Sequence, residues 1–593
     1  MFKRALVITE KPSSARRLAS ALDENGKPNR GRHGKVSFYI SYRDGMELVV
    51  VSAGGHLYTI VQKKGGWTYP IYDIKWVPSH KADKRSSYTK QYLKTIIDLS
   101  NDIDEYVSAC DYDQEGSLIA FNIIKHGLGE AALGKSKRML FNTLTKHELV
   151  KSWENRQTLD YPVIAAGKVR HEADWLYGIN LSRALTITAK KRINTKKTLS
   201  VGRVQGPTLR FVYDLESRIN SFVPIPYWKV SAETIIDEIT YPLEYEKPRL
   251  EREVHAKTVA EECRGKDGVI TAIEGKEAKI QPPAPFNLGD LQQEAYRVFN
   301  YNPSVTLKIA EKLYLSALIS YPRTSSQRIS PTIDVREILV KLGENIRYER
   351  DVTTLAAKKR VKPRQGKKDD PAHPAIHPTG NKPGLLKPEE LNVYDLVVRR
   401  FLASLGKPLI RSKSTVDIGV NGHTFYIKGD HTIDPGWTLF YQPYFKSKDT
   451  PLPEVIVGMV LPITKLSTRR QYSKPPARFT ASSLVRKMED EGIGTKATRS
   501  NIIDTLRRRG YIRGQKVTIT GLGSNVIEAL AEYSPDIIDV NLTKTLETEL
   551  DRIESGTGSA EEVIKTTIST LDAVLKRFKE KEVEIGASLT RRT

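Results

Sequence analysis

Residues 1 to 155 alternate short β-branched runs with stretches of helical period, and no other feature of this chain narrows its fold as much. ALVIT (5–9) leads into SSARRLASAL (13–22), ELVVVSA (47–53) and YVSAC (106–110) follow, and GSLIAFNIIKHG (116–127) comes next. That alternation predicts an α/β domain around a largely parallel sheet. Ligands of such sheets sit beyond the carboxyl ends of the strands. Two of these strands end in acidic groups, ALVIT in Glu10-Lys11-Pro12-Ser13 and YVSAC in Asp111-Tyr112-Asp113-Gln114-Glu115-Gly116, so the two ends are expected to converge. Three carboxylates at alternate positions cannot sit close together ionised unless a cation offsets their repulsion. Dense oxygen ligands suit Mg2+, which keeps waters and bridges to phosphate. D-x-D-x-E alone also fits a solvated acidic turn; the buried strand before it and the second strand ending in Glu10 and Lys11 favour a site.

The 593 residues are long enough for three to five domains of roughly 100–200 residues each. Residues 1–155 form the α/β domain, and 156–220 read as helical. Strand-like texture covers 221–280 and returns at 407–474, which suggests one domain entered twice. Between them, 281–406 is a helical insert opening at QPPAPF, and 475–593 is helical and basic. KKRVKPRQGKKDDP (358–371) is expected to be an exposed, mobile loop. Lys plus Arg outnumber Asp plus Glu by 94 to 70, for a formal charge of +24. Such a field favours polyanions, with nucleic acid ahead of an anionic membrane surface and a merely solvated basic surface as the weaker alternative. Two cysteines, Cys110 and Cys263, supply neither a disulfide framework nor a four-Cys zinc site. MFKRALVITEKP is too short and too quickly charged for a signal peptide, and no apolar run approaches the ~20 residues that cross a bilayer. The expectation is a soluble cytoplasmic, nucleoid-associated protein with no membrane partner.

Gly129 to Ser136 matches a phosphate-loop pattern letter for letter, but it follows a helix and leads into strand-like RMLFNTL. A phosphate cradle needs the opposite order, strand then helix, so a nucleotide site is not expected there.

Tyr321 is one of 27 tyrosines and stands out by its setting, LISYPRTSS. A helical pattern over 304–319 runs up to it, and Pro322 disfavours the α conformation at the residue before it, so Tyr321 should be extended at a helix end. Alternate residues of an extended segment face one side, which puts Arg323 beside Tyr321. A phenol of pKa ~10 needs such a neighbour to act as a nucleophile, and a guanidinium also pairs bidentately with phosphate. Tyr-Pro-Arg-Thr taken alone is compatible with a mere helix stop. Further along, Arg170, Asp174 and Tyr177 share a helix face, where an intrahelical salt bridge accounts for the first two without any ligand. LSVGRVQGPTLRFV (199–212) reads as strand-like or turn. ARFTASSLVRKMEDEGIGTKATRSNIIDTLRRRGYI (477–512) outlines helix, turn and helix, with Thr480 and Ser482 as caps and Thr498 and Arg499 opening the second helix. Arg507, Arg508 and Arg509 read as a solvated basic face.

These stretches resemble one family in order. ITEKPS and DYDQEG are similar to the signatures of the TOPRIM domain, whose first Glu is an acid/base group and whose D-x-D-x-E carboxylates bind magnesium. The resemblance places those roles on Glu10, Asp111, Asp113 and Glu115, with His56 of SAGGHLYTI either functional or packing. The run from PPAPFNLGDLQQEAY to KLYLSALISYPRTSS resembles the active-site segment of type IA DNA topoisomerases. In that family the Tyr of Y-x-R-T-x-S joins covalently to a 5′ phosphate; Tyr321, Arg323, Thr324 and Ser326 fill the motif. DPAHPAIHPT resembles a second stretch, whose His, here His373, bonds near the scissile phosphate, while His377 stands where some members carry Arg. The R-x-x-x-D-W-L-x-G-x-N and S-x-G-R-V-Q-x-P-T-L blocks imply DNA contacts for Arg170, Asp174, Arg183, Arg203 and Gln205, and the 477–512 block implies them for Thr498 and Arg499.

The resemblance spans residues 1 to 560 in five blocks and is closest to topoisomerase III-like and archaeal members. It implies a multidomain α/β plus α+β protein, a four-domain toroid with an N-terminal TOPRIM domain. The implied chemistry is attack by Tyr321, charge stabilisation by Lys11 and Arg323, proton donation by Glu10, and Mg2+ as cofactor without ATP. A monomer acting on single-stranded segments of supercoiled DNA, relaxing or decatenating it, with a partner helicase, completes the expectation. Cys-rich zinc ribbons and a helicase half have no counterpart in this sequence. Two other readings stay open: a TOPRIM metal-dependent nuclease and a non-catalytic DNA-binding scaffold.

Overall fold

A computed structural model of the chain describes residues 3–192, 198–358 and 361–590. Its first sheet has six strands, in the order Asn29–His33, Val36–Arg43, Met46–Ser52, Lys3–Thr9, Glu105–Ser108, Ser136–Arg138. The last four run parallel and the first two return as an antiparallel edge. Ala5 to Ile8 are fully buried in the centre, as an unbroken apolar run covered on both faces must be. Ile8 pairs with Ser108, so the chain leaves both strands at one edge and carries Glu10 and Asp111 to the same end of the sheet. Helix Pro12–Leu22 starts directly there, its first position held by a proline whose missing N–H costs nothing at a helix start.

The strands of 226–280 and 409–472 join one seven-stranded antiparallel sheet. Helices Leu288–Phe299, Pro303–Leu315, Val335–Gly343, Glu349–Ala356 and Pro388–Ser404 lie between its two halves in sequence. One apolar cluster runs from Val7, Leu18 and Val107 of the first sheet through Phe141 to Tyr314, Tyr321 and Phe401 of these helices. The junction of the two regions is therefore packed rather than loosely docked. The 32-residue helix Tyr161–Arg192 packs on the later helices Val540–Glu554, Ala560–Glu580 and Glu582–Leu589. Among the described residues, no helix is long and apolar enough to cross a membrane. Cys110 and Cys263 are both free and buried.

Four local expectations change. The run at 199–212, read as strand-like or turn, has a turn at Arg203 and Val204 and then enters helix Gln205–Asn220. Pro207 sits in its first turn, where N–H groups have no intrahelical partner to lose. Gly206 lets that turn approach the segment at Ile537, whose carbonyl oxygen would lie 2.7 Å from any Cβ at 206. The helix expected over 304–319 ends at Leu315, because Ala317 takes a left-handed φ of 54°. The loop at 358–371 is tied down from Val361 onward: Arg364 N donates to Ser404 O, Gly366 N to Gln327 O, and Asp370 is buried. Lys359 and Arg360 lie outside the described residues. Finally, Thr480 caps helix Ala481–Asp490, but Ser482 is buried inside it.

Thr480 Oγ1 accepts from Ser483 N at 3.1 Å, and Ser483 Oγ accepts from Thr480 N at 2.9 Å. Both orphan donors are satisfied by this reciprocal pair. Thr480→Ala is expected to cost about 1 kcal/mol, read as a lowered midpoint of urea denaturation.

Candidate active site

The end of the parallel sheet is built around a turn that only glycine closes. A Cβ at Gly116 would fall 2.2 Å from the carbonyl oxygen of Asp111. That same oxygen accepts from Arg138 Nη2 at 2.7 Å, while Arg138 Nη1 donates to Ser108 Oγ at 2.6 Å. A buried guanidinium thus clamps the backbone that presents the acids. Asp113 caps helix Gln114–Ile123, its Oδ1 accepting from Gly116 N at 2.7 Å. Its other oxygen, Oδ2, is left facing outward from the sheet.

Tyr321 meets that oxygen. Its hydroxyl donates to Asp113 Oδ2 at 2.5 Å, across 208 residues of sequence. Tyr321 N donates to Asn142 O at 2.7 Å, and Ser320 N to His377 O at 2.9 Å, so the backbone at the tyrosine is held from both regions. The neighbouring Tyr314 hydroxyl donates to Asp111 Oδ1 at 3.2 Å. Arg323 Nη1 lies 3.7 Å from Asp113 Oδ2, and its Nε donates to Glu311 Oε1 at 2.9 Å. Lys11 Nζ is 3.4 Å from Glu10 Oε1 and 3.7 Å from Asp111 Oδ2. The His373 ring centre lies 4.6 Å from that of Tyr321, and its Nδ1 is 2.6 Å from Asn142 Oδ1. An amide oxygen only accepts, so Nδ1 carries the proton there. His373 Nε2 is buried with no hydrogen-bond partner among the described residues.

The electrostatics follow from crowding acids in a dry place. Burial raises Glu10, with Lys11 opposing and Asp113 adding to the rise. Burial, then the Glu10 charge, pushes Asp111 up to about 8. Burial and Asp113 hold the Tyr321 phenol well above its usual value, Arg323 working the other way. Burial works against the Lys11 ammonium and the Arg323 guanidinium, but the surrounding anions prevail and raise both. Burial and the Lys496 charge press His373 down to about 4, leaving it neutral near pH 7.

That last shift has a stability consequence. The folded imidazole resists protonation down to about 4, whereas the unfolded one takes its proton near 6.5. Its contribution is fully present above about pH 6.5 and is lost as pH falls towards 4, at up to roughly 1.4 kcal/mol per unit. Buried His377 shifts in the same direction. Asp111 and Glu10, both raised by burial, gain stability over the same range, so the His373 effect is read as a difference: between pH 7.5 and 5, the denaturation midpoint of His373→Asn should rise relative to that of the native chain.

Glu10, Lys11, Asp111, Asp113, Tyr321, Arg323 and His373 are thus brought together. Glu115 departs from the expected acidic trio. In the first turn of the helix that Asp113 caps, its carboxylate is taken up by His56 Nε2 at 2.8 Å and His171 Nε2 at 2.9 Å. Burial would raise it, but the two imidazoles hold it well below the usual carboxylate range.

The expected strand-contact residues are largely engaged in protein contacts. Arg170 does not pair with Asp174 along its helix; Arg170 Nη1 meets Glu547 Oε2 at 2.8 Å, and its Nε donates to Gln114 Oε1 at 3.1 Å. Asp174 pairs with Arg203 Nε at 2.7 Å, and Arg203 Nη1 reaches Glu547 Oε1 at 2.7 Å. Arg203 is only 3% exposed. Arg183 donates to Thr68 O at 3.1 Å and lies over the Trp67 ring. Gln205 opens its helix, with Oε1 buried and without a protein partner among the described residues. Thr498 is exposed, its Oγ1 accepting from Thr495 N, while half-buried Arg499 donates from Nε to Ile493 O. Beside them, Lys496 pairs with Asp370 next to the Tyr321 segment.

Sequence reasoning missed Tyr314, Glu311, Asn142, Glu547 and His171. His171 adjoins Arg170 in a block already singled out, and Tyr314 lies one residue from the helix end that leads to Tyr321. Glu547, 377 residues from Arg170, has no local signal at all.

A family model described as DNA topoisomerase matches residues 158–565, and a Toprim domain model matches residues 5–144. DNA topoisomerase 1 of Pyrococcus horikoshii is 40% identical over 590 residues, covering 99% of this chain and 86% of that protein. The protein of that name from Methanothermobacter thermautotrophicus is 38% identical over 586 residues, covering 99% and 80%. Among solved structures, full-length topoisomerase I from Thermotoga maritima aligns with a TM-score of 0.75 over 96% of this chain and 90% of that one. At 24% identity that likeness speaks to fold.

Proposed function

Because the chain belongs to the type IA DNA topoisomerase family, we propose that Tyr321 is the residue with which it opens one DNA strand. The observation that carries this assignment is the Tyr321 hydroxyl set 2.5 Å from Asp113, beside Glu10 and Lys11. Tyr321 Oη attacks the phosphorus in line and forms the 5′-phosphotyrosine ester, while its proton passes to Asp113. The bond to the 3′ oxygen breaks, and that oxygen takes a proton from Glu10, whose affinity for a proton burial raises. Lys11 and Arg323 face the charge that develops on the phosphoryl oxygens. One ester replaces another, so resealing by the reverse path needs no ATP. A phosphate beside His373 would favour its charged form and turn the orphaned Nε2 into a donor.

The residues present fit Mg2+. Glu10, Asp111 and Asp113 offer oxygen donors only, and both Glu10 and Asp111 are raised by confinement without a cation. They would hold the ion, joined by Glu115 if it leaves its histidines, and the bound ion would supply positive charge for ordering the broken ends before resealing.

Tyr321 is 2% exposed and hydrogen-bonded to Asp113. The described conformation is therefore closed. A phosphodiester enters only when the helical region withdraws from the acidic domain, and the same separation opens the path for a second strand.

Single-stranded DNA labelled at one end, incubated with the chain and denatured with detergent, tests the assignment. The 3′-terminal label should travel with the protein and the 5′-terminal label should not. Plasmid relaxation should proceed without nucleotide and stop on chelation of magnesium. Nicking without any adduct would favour the nuclease reading, and unaltered linking number with intact binding would favour the scaffold.

A further inference from the structure

His56, Glu115 and His171 reach one point from three elements. His56 lies in the loop after strand Met46–Ser52, Glu115 in the first turn of helix Gln114–Ile123, and His171 within helix Tyr161–Arg192. One donor atom from each lies within 4.8 Å of the others, and all three side chains are half-buried. Both imidazoles aim Nε2 at the same carboxylate: His56 at 2.8 Å from Oε2, His171 at 2.9 Å from Oε2 and 3.1 Å from Oε1. Their ring centres are 5.1 Å apart and tilted by 44°, so the rings converge on the carboxylate rather than stack. Trp76 closes one side, its ring centre 6.0 Å from that of His171 and its indole N–H donating to Glu172 at 3.1 Å.

The strand-opening chemistry above uses neither histidine. Two neutral imidazoles and a carboxylate form a donor set that suits Zn2+ and its neighbours, whereas Mg2+ prefers oxygen ligands alone. Zn2+ bonds such donors at about 2.0–2.2 Å, which places ligand atoms roughly 3.2–3.6 Å apart in a tetrahedron. The two histidine–carboxylate separations of 2.8 and 2.9 Å open by about 0.3–0.8 Å to admit an ion in place of the shared protons, and the two imidazole donors already lie within 4.8 Å of each other. We propose that His56, Glu115 and His171 form a binding site for a Zn2+-class divalent ion, with its fourth position open to water. Occupied, the site joins the acidic domain to the long helix and holds Glu115 away from Asp111 and Asp113.

The test uses the untagged full chain stripped with a chelator and dialysed into excess Mg2+, which occupies the all-oxygen donors. Zn2+ is then titrated against a chromophoric chelator, and Co2+ is added separately and read by visible absorption. One equivalent of each ion should bind, with cobalt bands of a nitrogen–oxygen set and no thiolate transition. His56→Ala and His171→Ala should each weaken Zn2+ at least about 100-fold. His171→Gln keeps an N–H donor towards Glu115, so it preserves the hydrogen bond and should still lose the ion. Its circular dichroism serves as the check on folding. The inference is overturned if no saturable uptake occurs, if the His56→Ala/His171→Ala double variant binds Zn2+ unchanged, or if His171→Gln retains full affinity. The readout involves neither DNA nor turnover, so it stands or falls separately from the assignment of Tyr321.

Discussion

Tyr321→Phe should reduce strand cleavage and plasmid relaxation by at least about 10^4-fold, the scale on which covalent enzymes lose activity with their nucleophile. The substitution removes one oxygen and little else. The ring keeps its place between Tyr314 and His373, 5.2 and 4.6 Å from their ring centres. Asp113 keeps Arg323 at 3.7 Å and its bond from Gly116 N. Folding and DNA affinity should therefore survive, which separates lost chemistry from lost structure. The check is a gel-shift titration beside detergent trapping on the same labelled DNA. Binding with no trapped adduct is the expected pair of results; an adduct formed by the phenylalanine variant would show that another residue is the nucleophile.

Arg203→Ala should be the most destabilising single change in the region expected to carry the strand. Its guanidinium is almost wholly buried between Asp174 and Glu547, and Glu547 is shared with Arg170. Removing one member of a buried ion network leaves charge without its partner, at a cost of about 3–5 kcal/mol. That is a large part of the net stability of roughly 5–15 kcal/mol typical of a folded protein. Urea denaturation should show the loss directly. A residue that contacts phosphate behaves differently: its removal lowers the salt slope of DNA binding by about one and leaves the midpoint alone. An Arg203→Ala chain with native stability and a reduced slope would mean that the ion network opens and that Arg203 turns to the strand.

The two cases differ in how much local sequence could reveal. Around Tyr321, Pro322 disfavours helical backbone at the residue before it, and an alternate-residue spacing suggests Arg323 on the same side; both constraints act within three residues. The strand ends at Glu10 and Asp111 were equally legible, because buried parallel strands need unbroken apolar runs and leave the sheet at one edge. Helix Gln205–Asn220 was not, since Val alternating with Arg203 and Gln205 suggested strand or turn, and the helix start is set by the close approach of Gly206 to Ile537. Nor was the early stop at Leu315, which depends on one left-handed alanine. Glu115 shows the limit most clearly. Its spacing from Asp111 and Asp113 suggested a common ligand set, but Asp113 caps a helix, and the helical turn carries Glu115 round to His56 and His171.

By itself, then, the amino-acid order determined the largely parallel sheet, its acidic edge, the proline-flanked setting of one tyrosine and the basic character suited to DNA. Those features arise from steric and periodic rules that operate over a few residues. Tertiary structure alone decided which oxygen of Asp113 receives the Tyr321 hydroxyl, which acid neutralises Arg170 and Arg203, and where Glu115 points. Such pairings join positions hundreds of residues apart, and their geometry is fixed only when whole domains pack and exclude water from the groups between them.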